Sequence, residues 1–261
     1  MSDRMSLPLS FAQERLWFLD RLAPGLAVYN QPLALALSGP FDVPAWRFGL
    51  TEIARRHEVL RTSYGEVDDR PVQVIAAVRE VPVPVVDLAG LPDGVRQGAA
   101  ARLTTGFVRR PFDLAAGPLF RAALLRMERA EWIALLNLHH SIADGVALSL
   151  LLDELAALYA AYRAGLPSPL PELPLQYADY AVWQRGWLTG AARERRLAWW
   201  RQALAGLPEV LSLPGDRPRP AVQSFRGGRR MATLPAGPTA ALARLGRERK
   251  STLFMVLLAA F

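Results

Sequence analysis

Two adjacent histidines, His139 and His140, interrupt an apolar run in "LNLHHSIADGVALS" and are followed by Ser141, Asp144 and Gly145. The chain holds three histidines, so two of them are spent at one point. Imidazole is the side chain best suited to take up or give a proton near neutral pH. Two imidazoles side by side suggest a metal site first. The residues before them read as a strand, however, and strand side chains alternate between faces, so His139 and His140 point in opposite directions and are poor joint ligands. No HExxH spacing or second histidine cluster supports a metal, and none is expected. Ser141 is no better as a nucleophile, because sequence neighbours rarely bring hydroxyl and imidazole into reach and no GxSxG turn is present. Two readings remain. In one, Asp144 caps a following helix, Gly145 is a permissive turn residue and both histidines are satisfied core groups. In the other, one imidazole faces a cavity as a proton acceptor or hydrogen-bond partner for a reacting nucleophile, while the other faces the core.

The elements that would position these residues can be read from patterning. Ser10 with Gln13 forms a capping box that opens a helix through "FAQERLWFLDRL". "PLALALSG" reads as a strand, and Asp42 as the N-cap of a second helix with Pro44 in its first turn, ending near His57. "LRTSYGEV" and "RPVQVIA" predict a hairpin around Asp68, Asp69 and Arg70. A helix through "GVRQGAAARLTTGF" precedes a second hairpin, "LFRAALLRME" with "EWIALLNL", which ends at the histidines. "VALSLLLDELAALYAAYRAG" is an amphipathic helix closed by Gly165. Pro167, Pro169, Pro171 and Pro174 then exclude both helix and central strand, which makes 167–175 the expected linker between a lobe at 1–166 and a second at 176–261. Beyond it the pattern predicts helices in "QYADYAVWQRGWL" and "ERRLAWWRQALAG" and a proline-rich stretch "LPGDRPRPA". A strand near "GGRRMATLP", a helix from Pro238 to Arg249, and an all-apolar helix capped by Ser251 complete the chain. The fold class is α/β or α+β.

At 261 residues and 51% hydrophobic content the chain can build a sizeable core. It has no cysteine, which excludes disulfides and thiolate chemistry. The N-terminus lacks a secretory pattern and no apolar run reaches the length of a membrane span, so a cytoplasmic protein without membrane contact is expected. The net charge of +7 comes almost wholly from arginine, Lys250 being the single lysine. The arginines are scattered, with short clusters at 193–196 and 226–230 and no basic stripe interleaved with aromatics, so a nucleic-acid partner is not expected. An acidic protein partner suits this surface better.

Four stretches together resemble a known family. "HHSIADG" is similar to the HHxxxDG signature of condensation domains of nonribosomal peptide synthetases, and "SFAQERLWFL", "RHEVLRTSY" and "YADYAVW" resemble its other motifs in the expected order. "AWWRQALAGLPEVLSLPGDRPRPAVQSFRGG" resembles the segment that follows, so the resemblance covers nearly the whole chain. It implies a chloramphenicol acetyltransferase-like fold of two lobes in a V. Between them a tunnel receives the phosphopantetheine arms of donor and acceptor carrier proteins, and no cofactor is bound directly. The resemblance implies that His140 faces the reacting atoms, as general base or as a group that orients the amine, with His139 facing inward. It pairs Asp144 with Arg61, pinning the turn that aims His140, and gives Gly145 the role of admitting substrate close to the backbone. Gln13, Arg15, His57 and Glu58 match motif positions too, with packing or capping roles expected. The stretches "LAPGLAVYNQP" and "LPGDRPRP" resemble domains that join an L-aminoacyl or L-peptidyl donor to an L-amino acid.

Such domains continue beyond the last residue of this chain. The expectation is therefore a complete first lobe with the beginning of a second, inactive alone, whose natural partners include the rest of that lobe and an adenylation domain. Two competitors are a coenzyme-A-dependent acyltransferase of the same superfamily and a non-catalytic remnant or docking platform.

Overall fold

The computed structural model describes residues 6–210, 217–218, 220, 223–225, 227–228 and 230–261. They form two compact units, Met1–Glu209 and Val210–Phe261.

In the first unit, helix α1 (Phe11–Leu22) starts at the Ser10–Gln13 capping box and α2 (Val43–Arg56) at Asp42, whose carboxylate accepts from the Ala45 N–H. Strands β3 (Thr62–Val67) and β4 (Arg70–Ile75) form the expected hairpin. Its turn residues Asp68 and Asp69 have φ of 49° and 58°, the left-handed values that a tight two-residue connection requires. A short strand β1 (Ser6–Pro8) adds to β4, giving a sheet of order β1-β4-β3. The second sheet has order β2-β7-β6-β5, where β2 is Asn30–Ser38, β5 Val85–Asp87, β6 Phe120–Glu128 and β7 Glu131–His139.

Burial along these strands follows their place in the sheet. The edge strand β2 alternates, Leu33, Leu35 and Leu37 turning inward, while central β6 and β7 are buried on both faces over most of their length. One face carries the main core with α2 and α4 (Gly145–Arg163); the other carries Ala123, Leu125 and Leu135 against α3 (Asp93–Arg109). Helices α2 and α4 meet closely at Gly49, where an added Cβ would lie 2.7 Å from Leu155 Cδ1. Gly165, φ +67°, closes α4 as expected.

By length and composition α4 could cross a membrane, contrary to the expectation that no segment could. Its apolarity has another use: Leu151, Leu155 and Leu158 are core residues packed beside α2.

The proline-rich stretch 167–175 does not separate the two units. It lies inside the first, bound to α2, and the following helices α5 (Tyr177–Trp187) and α6 (Gly190–Ala203) belong to that unit as well. Arg56 explains the attachment. Its guanidinium, 3% exposed, donates to the carbonyls of Leu170 (3.4 Å) and Pro171 (2.7 Å), while neighbouring Arg55 pairs with Glu172. The Gln176 side chain donates to the Arg56 carbonyl at 2.9 Å, and Arg185 of α5 reaches both Glu14 and the Leu9 carbonyl.

The second unit contains α7 (Ala236–Glu248) and α8 (Leu253–Ala260) packed on each other. The α8 cap is Thr252, one residue later than expected: its hydroxyl accepts from the Met255 N–H at 3.2 Å, while the Ser251 hydroxyl donates to the Arg249 carbonyl at 3.2 Å. Phe254, Met255 and Leu258 of α8 are exposed. The expected strand near 227–235 is absent among the described residues, and no strand of this unit is described that could pair with it. The proline-rich stretch 213–221 falls largely outside the described residues.

Candidate active site

Strand β7 runs antiparallel between β2 and β6 and ends at His139, so the two histidines lie at the last rung of a central strand. Alternation does what the sequence implied: His139 is buried and His140 exposed. The two rings are then held by different partners.

His139 is 3% exposed, with the rings of Tyr29 and Phe112 edge-on to it at 6.2 Å. Its Nδ1 accepts from the Ser141 backbone N–H at 3.2 Å, and the Ser141 hydroxyl lies 2.8 Å away. A backbone N–H can only donate, so the ring proton sits on Nε2. Burial pushes this imidazole down to about 4, with the charge of His140 adding to the effect. From about 6.5 down to about 4 the unfolded chain takes up a proton that the folded chain refuses, so stability falls as pH falls through that window. The whole loss amounts to about 3 kcal/mol. Urea denaturation of wild type at pH 7 and pH 4.5 should show it, and His139→Gln, which has no proton to gain, should lose less between the two.

His140 lies outside the strand in the turn that follows. Its backbone N–H donates to the Tyr29 carbonyl at 2.8 Å, and its Nδ1 lies 2.8 Å from the Ala143 carbonyl. A carbonyl only accepts, so Nδ1 carries the proton in the neutral ring and the Nε2 lone pair is left free. Among the described residues Nε2 has no hydrogen-bond partner. The arrangement presents a fixed proton acceptor at the protein surface.

Asp144 and Arg61 are not brought together. Arg61 donates to Glu58 at 3.1 Å and to the Ala76 carbonyl, while the Asp144 carboxylate accepts from the Ala147 N–H at 2.8 Å as the N-cap of α4. No ion pair joins Arg61 and Asp144 among the described residues. The cap requires an exposed oxygen acceptor and no cation, which is why the expected partner is dispensable. Asp144→Asn should therefore change stability by only a few tenths of a kcal/mol, and Asp144→Ala should cost about 1 kcal/mol, read by thermal denaturation. Arg61→Ala should add to either without coupling.

Gly145 has open space where a Cβ would project, with no atom within 4 Å and no left-handed φ. The fold itself makes no demand for glycine there.

Of the other motif residues, Gln13 serves the α1 capping box, and His57 and Glu58 serve packing around the linker. His57 Nε2 lies 2.8 Å from Glu154, which also receives Arg56 at 3.4 Å. Sequence reasoning missed Glu154 and the role of Arg56, although both fall on apolar stripes: Arg56 follows Trp46, Leu50 and Ile53 on α2, and Glu154 stands among Leu151, Leu155 and Leu158 on α4. A charge on each of two facing stripes signals a pair. The Tyr64 hydroxyl, which donates to the Ser141 carbonyl at 3.1 Å, was missed too. Among the described residues no group of three or more His, Cys, Asp or Glu side chains could hold a metal ion.

Residues 4–261 match the family profile described as Condensation domain. A linear gramicidin synthase polypeptide of Brevibacillus parabrevis is 50% identical over 255 residues, 98% of this chain and 3% of that protein. Phosphinothricin tripeptide synthetase PhsC of Streptomyces viridochromogenes is 44% identical, over 98% of this chain and 24% of that protein. Among solved structures, the X-domain from teicoplanin biosynthesis matches with a TM-score of 0.79 at 30% identity, covering 96% of this chain and 54% of that one. A variant of the starter condensation domain of rhizomide synthetase RzmA in complex with C8-CoA matches with a TM-score of 0.74 at 25% identity, covering 83% and 49%. The chain thus spans a small part of the curated relatives it matches and about half the length of these structures.

Proposed function

Because the chain belongs to the condensation-domain family, we propose that it supplies the histidine-bearing half of a catalyst that joins two carrier-bound aminoacyl groups. The α-amine of the acceptor attacks the donor thioester, the C–N bond forms, and the carrier's phosphopantetheine thiol leaves. The amine's proton must depart during this exchange, and the observation that carries the reading is the free, outward Nε2 of His140 fixed by the Nδ1–H···Ala143 bond. His140 is the catalytic residue in this proposal, with base and amine-orienting roles both served by the same lone pair. His139 holds the turn from inside, Asp144 starts α4 immediately after it, and the open space at Gly145 gives a substrate room beside the imidazole. Donor and acceptor carrier proteins are the proposed partners. They bring phosphopantetheine as a substrate arm, and a basic surface suits acidic partners. An L-configured donor and acceptor, a neighbouring adenylation domain and a cytoplasmic location complete the reading.

Two alternatives have an observation each. The RzmA domain was solved with C8-CoA, which favours a coenzyme A thioester as donor. The teicoplanin X-domain was solved as a complex with OxyB, which favours a docking role. One assay separates the three. A domain completed with the remaining second-lobe sequence is given an aminoacyl donor either on a carrier protein or on coenzyme A, with the acceptor on a second carrier, and products are followed by mass spectrometry. Dipeptide on the acceptor carrier, formed from the carrier-bound donor, is expected. Product only from the coenzyme A thioester would favour the acyltransferase, and no product with either donor would favour a docking role.

A further inference from the structure

We propose that Tyr64 is a positioning residue for the transfer site: its buried hydroxyl holds the Ser141 carbonyl and so fixes the turn that aims His140. The catalytic consequence rests on the function proposed above; the structural one does not.

The turn has internal bonds and external anchors, and they do different things. The Ile142 N–H to His139 carbonyl bond, the Ser141 N–H to His139 Nδ1 bond and the His140 Nδ1 to Ala143 carbonyl bond all lie within residues 139–143. They give the turn its shape and would move with it. Where the chain leaves β7, the His139 N–H donates to the Leu119 carbonyl at 3.0 Å; beyond it, two bonds tie residues 140–143 to other parts of the chain. One is the His140 N–H to the Tyr29 carbonyl, before β2. The other is Tyr64 Oη to the Ser141 carbonyl at 3.1 Å, reaching from β3 of the other sheet to the middle of the turn.

Tyr64 is itself firmly held. It is 1% exposed, its backbone N–H donates to the Leu114 carbonyl at 2.8 Å, and it faces Gln73 in the β3–β4 register. A hydroxyl at so buried a position costs free energy unless it is bonded, so phenylalanine would fill the same space more cheaply if packing were the only requirement. Burial pushes the phenol upward, against the opposing effect of Ser141 and Gln13, so the group remains a donor throughout the neutral range.

The surroundings of Tyr64 point the same way. Ser10, 0% exposed, bonds the Tyr177 hydroxyl at 3.0 Å, and Gln13, 1% exposed, caps α1 beside it. Gln13 and Tyr177 both act electrostatically on Tyr64. The stretches around Ser10, Tyr64, Ser141 and Tyr177, far apart in sequence, thus meet at one buried polar junction. Among the described residues, its bond into the histidine turn is made by the Tyr64 hydroxyl.

The test uses the completed domain and loaded carriers. Tyr64→Phe should lower kcat by about 10- to 100-fold, the scale set by a misplacement of about 1 Å, with KM for both carriers within about twofold of wild type. Tyr177→Phe, which removes a hydroxyl from the same junction without touching the turn, should leave kcat unchanged. A wild-type kcat for Tyr64→Phe, or an equal fall for Tyr177→Phe, would overturn the proposal. His140→Ala is run in parallel, and full activity there would count against the proposed function instead. Independently of any variant's folding and of activity, the 261-residue chain should show a slowly exchanging Tyr64 hydroxyl proton in its NMR spectrum, with a cross-peak to residue 141 or 142. A rapidly exchanging hydroxyl would overturn the positioning role even if the function stands.

Discussion

Replacing His140 by alanine should leave the protein folded and remove about 10²- to 10⁴-fold of the proposed amide-forming rate in the completed domain. The ring is exposed and its one hydrogen bond among the described residues goes to the Ala143 carbonyl, so its loss should cost on the order of 1 kcal/mol of stability. Its Nε2, by contrast, is the proton acceptor that the histidine turn offers outward, and nothing at Asp144 replaces it because that carboxylate is engaged with Ala147. The rate is followed as dipeptide on the acceptor carrier, with circular dichroism and melting temperature as controls. His139→Ala should give the opposite balance, a larger loss of stability from the buried side and an indirect effect on rate.

The second large effect is expected at Glu154. Its carboxylate is buried between Arg56 and His57, with side-chain exposures of 9%, 2% and 20% respectively. Burial alone would raise the carboxyl's pKa, but His57 and Arg56 outweigh it and hold the group below its ordinary value of 4.5. Its stabilising contribution is therefore complete above that value and is lost as pH falls below it and the carboxylate is protonated. Glu154→Ala leaves the Arg56 guanidinium buried with only the Leu170 and Pro171 carbonyls, and should cost about 3–5 kcal/mol, or about 10 °C in melting temperature. The linker at 167–175 should loosen with it, giving new proteolytic cleavage between Leu166 and Tyr177. A double variant, Arg56→Met with Glu154→Leu, should recover much of the loss, since a well-packed apolar pair can replace a buried ion pair. If Glu154→Ala melts within about 2 °C of wild type, the pair is not the clamp described here.

The elements around the site were largely legible in the sequence because each carries a local physical signal. Ser10 and Asp42 have side chains that cap, Asp68-Asp69 tolerates the left-handed turn, and the two apolar runs flanking Arg129-Ala130 are joined closely enough to pair as a hairpin. The opposed burial of His139 and His140 agrees with strand alternation carried one residue past the end of β7, where the turn's own bonds hold His140 outward. Likeness to condensation-domain structures bears out the chloramphenicol acetyltransferase-like α/β fold expected from the motifs. What escaped was short or nonlocal. The three-residue strands Ser6–Pro8 and Val85–Asp87 are too brief to show a period, and exist because β4 and β6 offer them edges. The expected strand at 227–235 failed for the converse reason, having a suitable composition and no described edge to join. Ion pairs were harder still. Arg61 and Arg56 stand in one motif stretch, and only the folded structure tells which is the buried clamp: Arg56 faces α4 and its Glu154, whereas Arg61 turns to Glu58 and the Ala76 carbonyl. The attachment of the 167–175 stretch is nonlocal in the same way. Four prolines correctly exclude regular structure, yet the carbonyls they leave unpaired are what Arg56 binds.

One ring nitrogen, Nε2 of His140, is central to the proposed chemistry, and the chain's histidine content makes it directly observable. With three histidines, a long-range proton–nitrogen NMR spectrum of the histidine-labelled chain at about pH 8 contains three ring patterns, each assignable by one substitution. His140 should show its proton on Nδ1 and an unprotonated Nε2, and His139 the reverse, as their bonds to the Ala143 carbonyl and the Ser141 N–H require. A His140 pattern with the proton on Nε2 would mean that no lone pair faces outward, and would contradict the claim that this turn presents a base to an incoming amine.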